Sequence, residues 1–234
     1  KTMGLQTNMT NRAWRALETY GSDPSISAEE FQAYKYDVAY SAKSDLAKAI
    51  ALLGSLNAKD DPDLAAAQAL LKGWDLRTNR ESRAAPLAVL TVLKLVQTPS
   101  RPPVAALKET MAELRTRFGR IDPEWGEVNR IRRGTVDLPI DGGPDIFRAV
   151  YGRPDPDGRL RALAGDTYVM FVAWDKTGAL SSTSIHQFGS ATLDEASPHY
   201  ADQTPLFAAM RMKPVLFTET QLKGQVARDY RPGE

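Results

Sequence analysis

Two histidines, His186 and His199, lie in the stretch SIHQFGSATLDEASPHYADQTPLF, from Ser184 to Phe207, and acid–base chemistry is sought there first. Ser182 stands just before His186 and Asp194 shortly after it. A nucleophile, an imidazole base and an orienting carboxylate are therefore at hand, the set a serine hydrolase requires. The chain has no Gly-x-Ser-x-Gly elbow to expose that serine, and serines and acids are common enough to match the set by chance. His186 falls near the end of an extended run and reads as a structural, hydrogen-bonded residue. His199, between Pro198 and Tyr200, reads as a loop anchor.

Other chemistry finds less. The histidine spacing fits no compact zinc motif, and there is no cysteine to join it. Asp155, Asp157 and Gly158 suggest a calcium loop, but the remaining positions and the closing Glu are missing, so a turn is expected. The run IDGGPD offers backbone N–H groups to an anion, yet lacks the strand–loop–helix setting and the Lys of a phosphate loop. Arg130, Arg132 and Arg133 read as a solvated or ion-paired face. Asn8 opens an Asn-Met-Thr sequon, which matters only in a glycosylating host.

The 234 residues carry a net charge of +1, with 42% apolar and 25% charged residues. This is the balance of an ordinary globular protein, with enough chain for one large or two modest domains. No clustered basic excess points to nucleic acid or an anionic membrane surface. No apolar run reaches the roughly 20 residues that span a bilayer. Without cysteine there are no disulfides, thiolate metal sites or cysteine nucleophiles, which is compatible with an oxidising compartment. The opening KTMGLQTNMTNRAW begins with Lys1 and reads as a processed or truncated product.

The elements that must position any site are helical at first. SISAEEFQAYKYDVAY pairs Ser27 with Glu30 as a capping box, with Phe31, Tyr34 and Val38 along one stripe. SDLAKAIALLGSL continues the helical spacing. In DPDLAAAQALLKGW, Asp61 is the N-cap and Pro62 the first helical residue. ESRAAPLAVLTVLKLVQ predicts a buried helix with Pro86 in its first turn or at a kink. PPVAALKETMAELRTRFG predicts another, with Gly119 just past its end. These helices make up a first region, residues 1–121.

The second region, 122–234, has a different character. DPEWGEVNRIRRGTVDLPIDGGPD reads as an ordered surface segment with one helical turn, and YGRPDPDGR as a loop. TYVMFVAWDKTGALSSTSIHQF predicts a hairpin about Asp175–Gly178, whose first strand is apolar enough to be covered on both faces. Thr218 and Gln221 cap a last helix. A lone hairpin is marginal by itself, so the expected fold is α+β: a mainly helical first half, then a hairpin that needs strands from elsewhere.

The segments MTNRAWRALE, LLKGWDLRTNRESRAA, WGEVNRIRRGTVDLPIDGGPD, GDTYVMFVAWDKTGALSSTSIHQFG and SPHYADQ together resemble the C-terminal part of the penicillin acylase family. The branch they are most similar to hydrolyses acyl-homoserine lactones and related long-chain amides. The resemblance implies an N-terminal-nucleophile hydrolase with a four-layer αββα core, exported to the periplasm or secreted and self-cleaved into α and β chains. The hairpin would complete that core, whose other strands lie in segments missing here. The family's nucleophile is the first residue of its β chain, activated by its own α-amine, whose pKa lies near 8. A backbone N–H and an Asn side chain form the oxyanion hole.

The resemblance begins downstream of that nucleophile, of the oxyanion Asn and of the family's calcium ligands. It therefore implies that the nucleophile is not in this chain, and that no cofactor or metal is held by it. Lys1 cannot serve, and Thr2 lacks the strand that should follow a nucleophile. One active-site element is implied: Arg12 in TNRAW matches the family's [Asp/Asn]-Arg helix start, where a fixed cation orients the oxyanion Asn or the substrate. The alternative for Arg12 is a simple ion pair at a helix start. The SIHQFG and SPHYADQ segments correspond to scaffold.

The implied partners are the remaining acylase segments, including the α chain, and a small-molecule N-acyl amide substrate. Neither nucleic acid nor membrane is expected as a partner. A phenylacetyl-specific β-lactam acylase, and a non-catalytic binding module descended from an acylase, stand as alternatives. The processes that the resemblance implies are quorum quenching and antibiotic biosynthesis.

Overall fold

The computed structural model describes residues 8–191, 193–226, 228, 229, 231 and 233. The chain folds as two compact units, with the boundary in sequence between Asp166 and Thr167.

The first unit begins with six helices: α1 Asn11–Glu18, α2 Ala28–Lys35, α3 Asp45–Gly54, α4 Pro62–Lys72, α5 Ala85–Gln97 and α6 Pro103–Phe118. Their ends follow the local chemistry. Ser27 and Glu30 form the expected capping box, Asp61 caps α4 with Pro62 behind it, and Pro86 sits in the first turn of α5. α6 stops where Gly119 turns left-handed at φ 73°. Leu53, Leu64, Leu71, Trp74, Leu87, Leu107 and Leu114 bury the shared apolar faces of α3 to α6. The stripe expected on α2 does not form a core face: Phe31 is exposed, and Val38 is buried beyond the helix end.

The short helix α7, Trp125–Val128, leads into strands β1 Asn129–Arg133, β2 Val136–Pro139, β3 Val150–Pro154 and β4 Leu160–Gly165. These form a sheet in the order β2-β1-β4-β3, with only β1 and β4 parallel. This corrects the expectation that 122–145 is a surface segment and 151–159 a loop. Charged residues hid the strands. In NRIRR Asn129 and Ile131 are buried, while Arg130 and Arg132 are neutralised from the side: Arg130 meets Asp137 at 2.7 Å, and Arg132 meets Asp155 at 2.9 Å and Asp157 at 2.7 Å. The expected loop YGRPDPDGR is β3, a turn closed by Gly158 N–H donating to Asp155 O at 2.8 Å, and the approach to β4.

The second unit holds the hairpin β5 Tyr168–Trp174 and β6 Leu180–His186, then α8 Thr204–Ala208, β7 Lys213–Pro214 and α9 Glu219–Leu222. Tyr168 pairs with His186 and Trp174 with Leu180, as the Asp175–Gly178 turn requires. The chain supplies β7 as a third strand, in the order β5-β6-β7, so the hairpin is not alone. β5 is an edge strand and is not covered on both faces. Val169 is buried, whereas Tyr168, Met170, Val172 and Trp174 are exposed. An apolar run cannot by itself distinguish a central strand from an uncovered edge.

Candidate functional site

α1 is fastened to its surroundings by polar side chains. Asn11, Arg15 and Glu18 recur at helical spacing on one face and meet the segment 37–41. Arg15 Nε donates to Asp37 at 2.7 Å, and its Nη1 donates to Glu18 at 2.9 Å. Ser41 Oγ donates to Glu18 at 2.6 Å. Burial opposes the Glu18 charge, but the Ser41 and Arg15 hydrogen bonds outweigh it and hold the pKa below the ordinary value.

Asn11 is the hub. Its side chain is buried, with Nδ2 donating to Ala39 O at 3.3 Å and to Asp145 O at 2.8 Å, and Oδ1 accepting from Ser41 N at 2.8 Å. Its backbone N–H donates to Asp145 Oδ2 at 2.8 Å. Thr10 Oγ caps the helix by accepting from Ala13 N at 3.3 Å.

Arg12 follows Asn11 around the helix and is half exposed, at 49% of its side chain. Its Nε donates to Asp145 Oδ1 at 3.3 Å. Among the described residues its Nη groups have no hydrogen-bond partner. Asp145 is therefore the shared acceptor for Asn11 and Arg12. It adopts the left-handed conformation, φ 56°, which Asp tolerates better than most residues. Its N–H donates to Tyr151 Oη at 3.2 Å, and Tyr40 Oη donates to the preceding Pro144 O at 2.7 Å. Burial pushes the Tyr40 phenol up, so the hydroxyl stays a donor. Asn11, Tyr40, Asp145 and Tyr151 line one end of a cleft of about 750 Å³, walled by Leu46, Val89, Val92 and Leu93.

The sequence motif pointed to Arg12 alone; Asn11, Asp145 and Tyr151 were missed. The Asn before Arg12 was a usable local signal. Nothing local could pair it with a residue more than a hundred positions later.

The other candidates stay apart. Ser182 and His186 share one face of β6 four residues apart, about 13 Å at strand rise. Asp194 is exposed and accepts from Ala196 N at 3.0 Å. Among the described residues no hydrogen bond joins these three. The His186 ring packs on Tyr168 at 4.7 Å, and its backbone N–H, not its imidazole, donates to Gln203 Oε1. His199 Nδ1 lies 2.8 Å from Asp202 Oδ2. Lys1 and Thr2 lie outside the described residues.

IDGGPD is not an anion cradle: Gly142 N–H is given to Thr78 O and Gly143 N–H to Arg148 O. Asp155 and Asp157 are held by arginines, as is Asp137. Among the described residues no group of three or more acidic or imidazole side chains is placed to hold a metal.

The sequence matches the penicillin amidase family over residues 2–224. It is 30% identical over 183 residues to the acyl-homoserine lactone acylase PvdQ of Pseudomonas fluorescens strain Pf0-1, covering 65% of this chain and 23% of that protein. It is 26% identical over 250 residues to the PvdQ of Pseudomonas savastanoi pv. phaseolicola, covering 92% of this chain and 32% of that protein. A thermostable penicillin G acylase from Alcaligenes faecalis superposes with a TM-score of 0.49 at 14% identity, over 97% of this chain and 53% of that one. The chain spans well under half the length of these curated relatives. With the family match running over nearly all of its residues, this chain belongs to the penicillin amidase family.

Proposed function

We infer that this chain is the C-terminal part of the β chain of a penicillin-acylase-type amidohydrolase. The whole enzyme cleaves an N-acyl amide, an acyl-homoserine lactone or a similar long-chain amide, with a nucleophile outside this chain. The observation that carries this is the 30% identity to the acyl-homoserine lactone acylase PvdQ across 183 residues.

The reaction needs few parts. An N-terminal hydroxyl adds to the amide carbonyl while its own α-amine takes the proton. The carbon–nitrogen bond breaks, the proton passes to the leaving amine, and water then hydrolyses the acyl ester to free the acid. Arg12 stands beside that centre as a supporting cation, directing the oxyanion donor or the substrate carbonyl. The remaining acylase segments, including the α chain, are the partners, and any calcium is held by those segments. The hairpin β5–β6 completes the αββα core with strands from them; the uncovered apolar side chains of β5 support this. The enzyme works in the periplasm or outside the cell, and no helix among the described residues is long and apolar enough to cross a membrane.

The test is to purify this chain from its native source with every polypeptide that accompanies it, then assay N-acyl-homoserine lactones and phenylacetyl amides. Acid release from the lactone substrates by the assembly, and none by this chain alone, is the expected result. Hydrolysis by the chain alone overturns the placement of the nucleophile. An assembly inert toward every N-acyl amide overturns the activity.

A further inference from the structure

We propose that Asp145 is the positioning residue for Arg12, setting the direction in which its guanidinium faces the reacting amide. The proposal rests on the reading that Arg12 supports catalysis, and it adds the device that makes a surface arginine useful.

An arginine on the first turn of a helix has four rotatable side-chain bonds and, half exposed, many rotamers open to it. Asp145 removes part of that freedom. Its Oδ1 takes the Nε–H of Arg12 at 3.3 Å and leaves both Nη groups without a protein partner among the described residues. Those Nη groups carry four of the five guanidinium N–H donors, the ones that present a planar fork. An ion pair this exposed contributes little to stability, about 0–1 kcal/mol. Stability therefore gives little account of the pair, whereas orientation does.

Asp145 is itself fixed far more firmly than a surface acid needs to be. Asn11 holds it twice, through N–H to Oδ2 and Nδ2 to its carbonyl, both at 2.8 Å. Tyr151 Oη takes its N–H, and the segment before it is held by Tyr40 and by the Gly143–Ala149 bridge. Its left-handed backbone costs free energy and is kept in place by these contacts. The same carboxylate thus locks the helix start through Asn11 and the guanidinium through Arg12, so the two keep a fixed relation.

The experiment is a double-mutant cycle in the assembled acylase, with an N-acyl-homoserine lactone as the substrate and kcat/KM as the readout. Asp145→Asn keeps the shape and tolerates the left-handed backbone, but loses the charge that holds Nε. It is expected to lower kcat/KM about tenfold or more, mostly through kcat. In an Arg12→Ala background the same substitution is expected to cost nothing further, because its target is gone. Asp145→Asn with wild-type activity, or with its full loss retained in the Arg12→Ala background, overturns the proposal. If Arg12→Ala alone is fully active, the catalytic reading of Arg12 fails first, and the positioning role with it. Should Asp145→Asn not assemble, Tyr151→Phe carries the same cycle, with a several-fold loss expected beside Arg12 and none without it. Equal losses in both backgrounds then overturn the proposal.

Discussion

Arg80 grips Asp141 with both its backbone and its side chain. The backbone N–H of Arg80 donates to Oδ1 at 2.8 Å, while Nε and Nη2 reach Oδ2 at 3.1 and 2.5 Å. Asp141 is buried, and the pair ties the segment between α4 and α5 to the IDGGPD turn that leads to Asp145. Donating hydrogen bonds to the Asp141 carboxylate raises the Arg80 pKa against the lesser opposing effect of burial. Removing Asp141 takes the acceptor from one backbone and two side-chain donors of Arg80 at a buried position. Asp141→Ala is therefore expected to lower the unfolding free energy by about 3 kcal/mol, read as a lower urea midpoint. A midpoint equal to wild type would show the grip to be dispensable.

The next residue makes a different prediction. Gly142 has φ 106°, and a Cβ built on it would lie 2.5 Å from Arg148 O and 2.8 Å from the Arg148 Cγ. Both the conformation and the space exclude a side chain. Its carbonyl also receives Trp125 Nε1–H at 2.7 Å and Asn129 Nδ2–H at 3.2 Å, so the turn cannot shift without breaking buried hydrogen bonds. Gly142→Ala is expected to cost about 2 kcal/mol or more. A thermal melt matching wild type would refute that.

What could be read from the sequence followed from local rules. Capping boxes at Ser27 and Thr218, the Asp61–Pro62 start and the Asp175–Gly178 hairpin are short-range chemistry, and the structure contains each of them. α1 was legible only through the family motif, because NRAWRALE docks by Asn11, Arg15 and Glu18, while its apolar residues Ala13, Trp14 and Leu17 are not buried. β1 to β4 were lost for a related reason: arginines on NRIRR imitate a solvent face until the facing aspartates are known. Arg12 could be found by motif, but Asp145 could not, since its significance depends on a contact between distant parts of the chain. Arg148 is the extreme case, a fully buried arginine near Asp166 and over the Tyr36 ring that no pattern would place inside.

The polar docking of α1 predicts an acid response. Glu18 has a lowered pKa when folded, so the unfolded chain binds that proton more readily. Its contribution is complete above the ordinary value of 4.5 and is lost as pH falls through the folded pKa. Glu18→Gln removes this titration. The variant is expected to be less stable than wild type at neutral pH, with a shallower fall in stability between about pH 5 and about pH 3. Parallel stability curves for the two proteins would exclude Glu18 from the response.

The outer face of the hairpin makes the last prediction. Cross-strand pairing sets Tyr168, Met170, Val172 and Trp174 on the same side as Ser182 and Ser184 of β6. Trp174 is 67% exposed and Tyr168 50%, yet Ser182 Oγ at the base of this face is buried without a hydrogen-bond partner among the described residues. β5 is also a sheet edge, and YVMFVAW contains none of the charges or prolines that usually guard one. An apolar stripe above an unsatisfied hydroxyl, on an open edge, is a surface that associates in water. The chain purified alone is expected to self-associate and to bind a hydrophobic dye. Met170→Lys with Trp174→Lys, both on exposed positions, should restore a monomer in sedimentation velocity without changing the far-ultraviolet circular dichroism. A wild-type chain that sediments as a monomer at the same concentration would show that this face does not drive association.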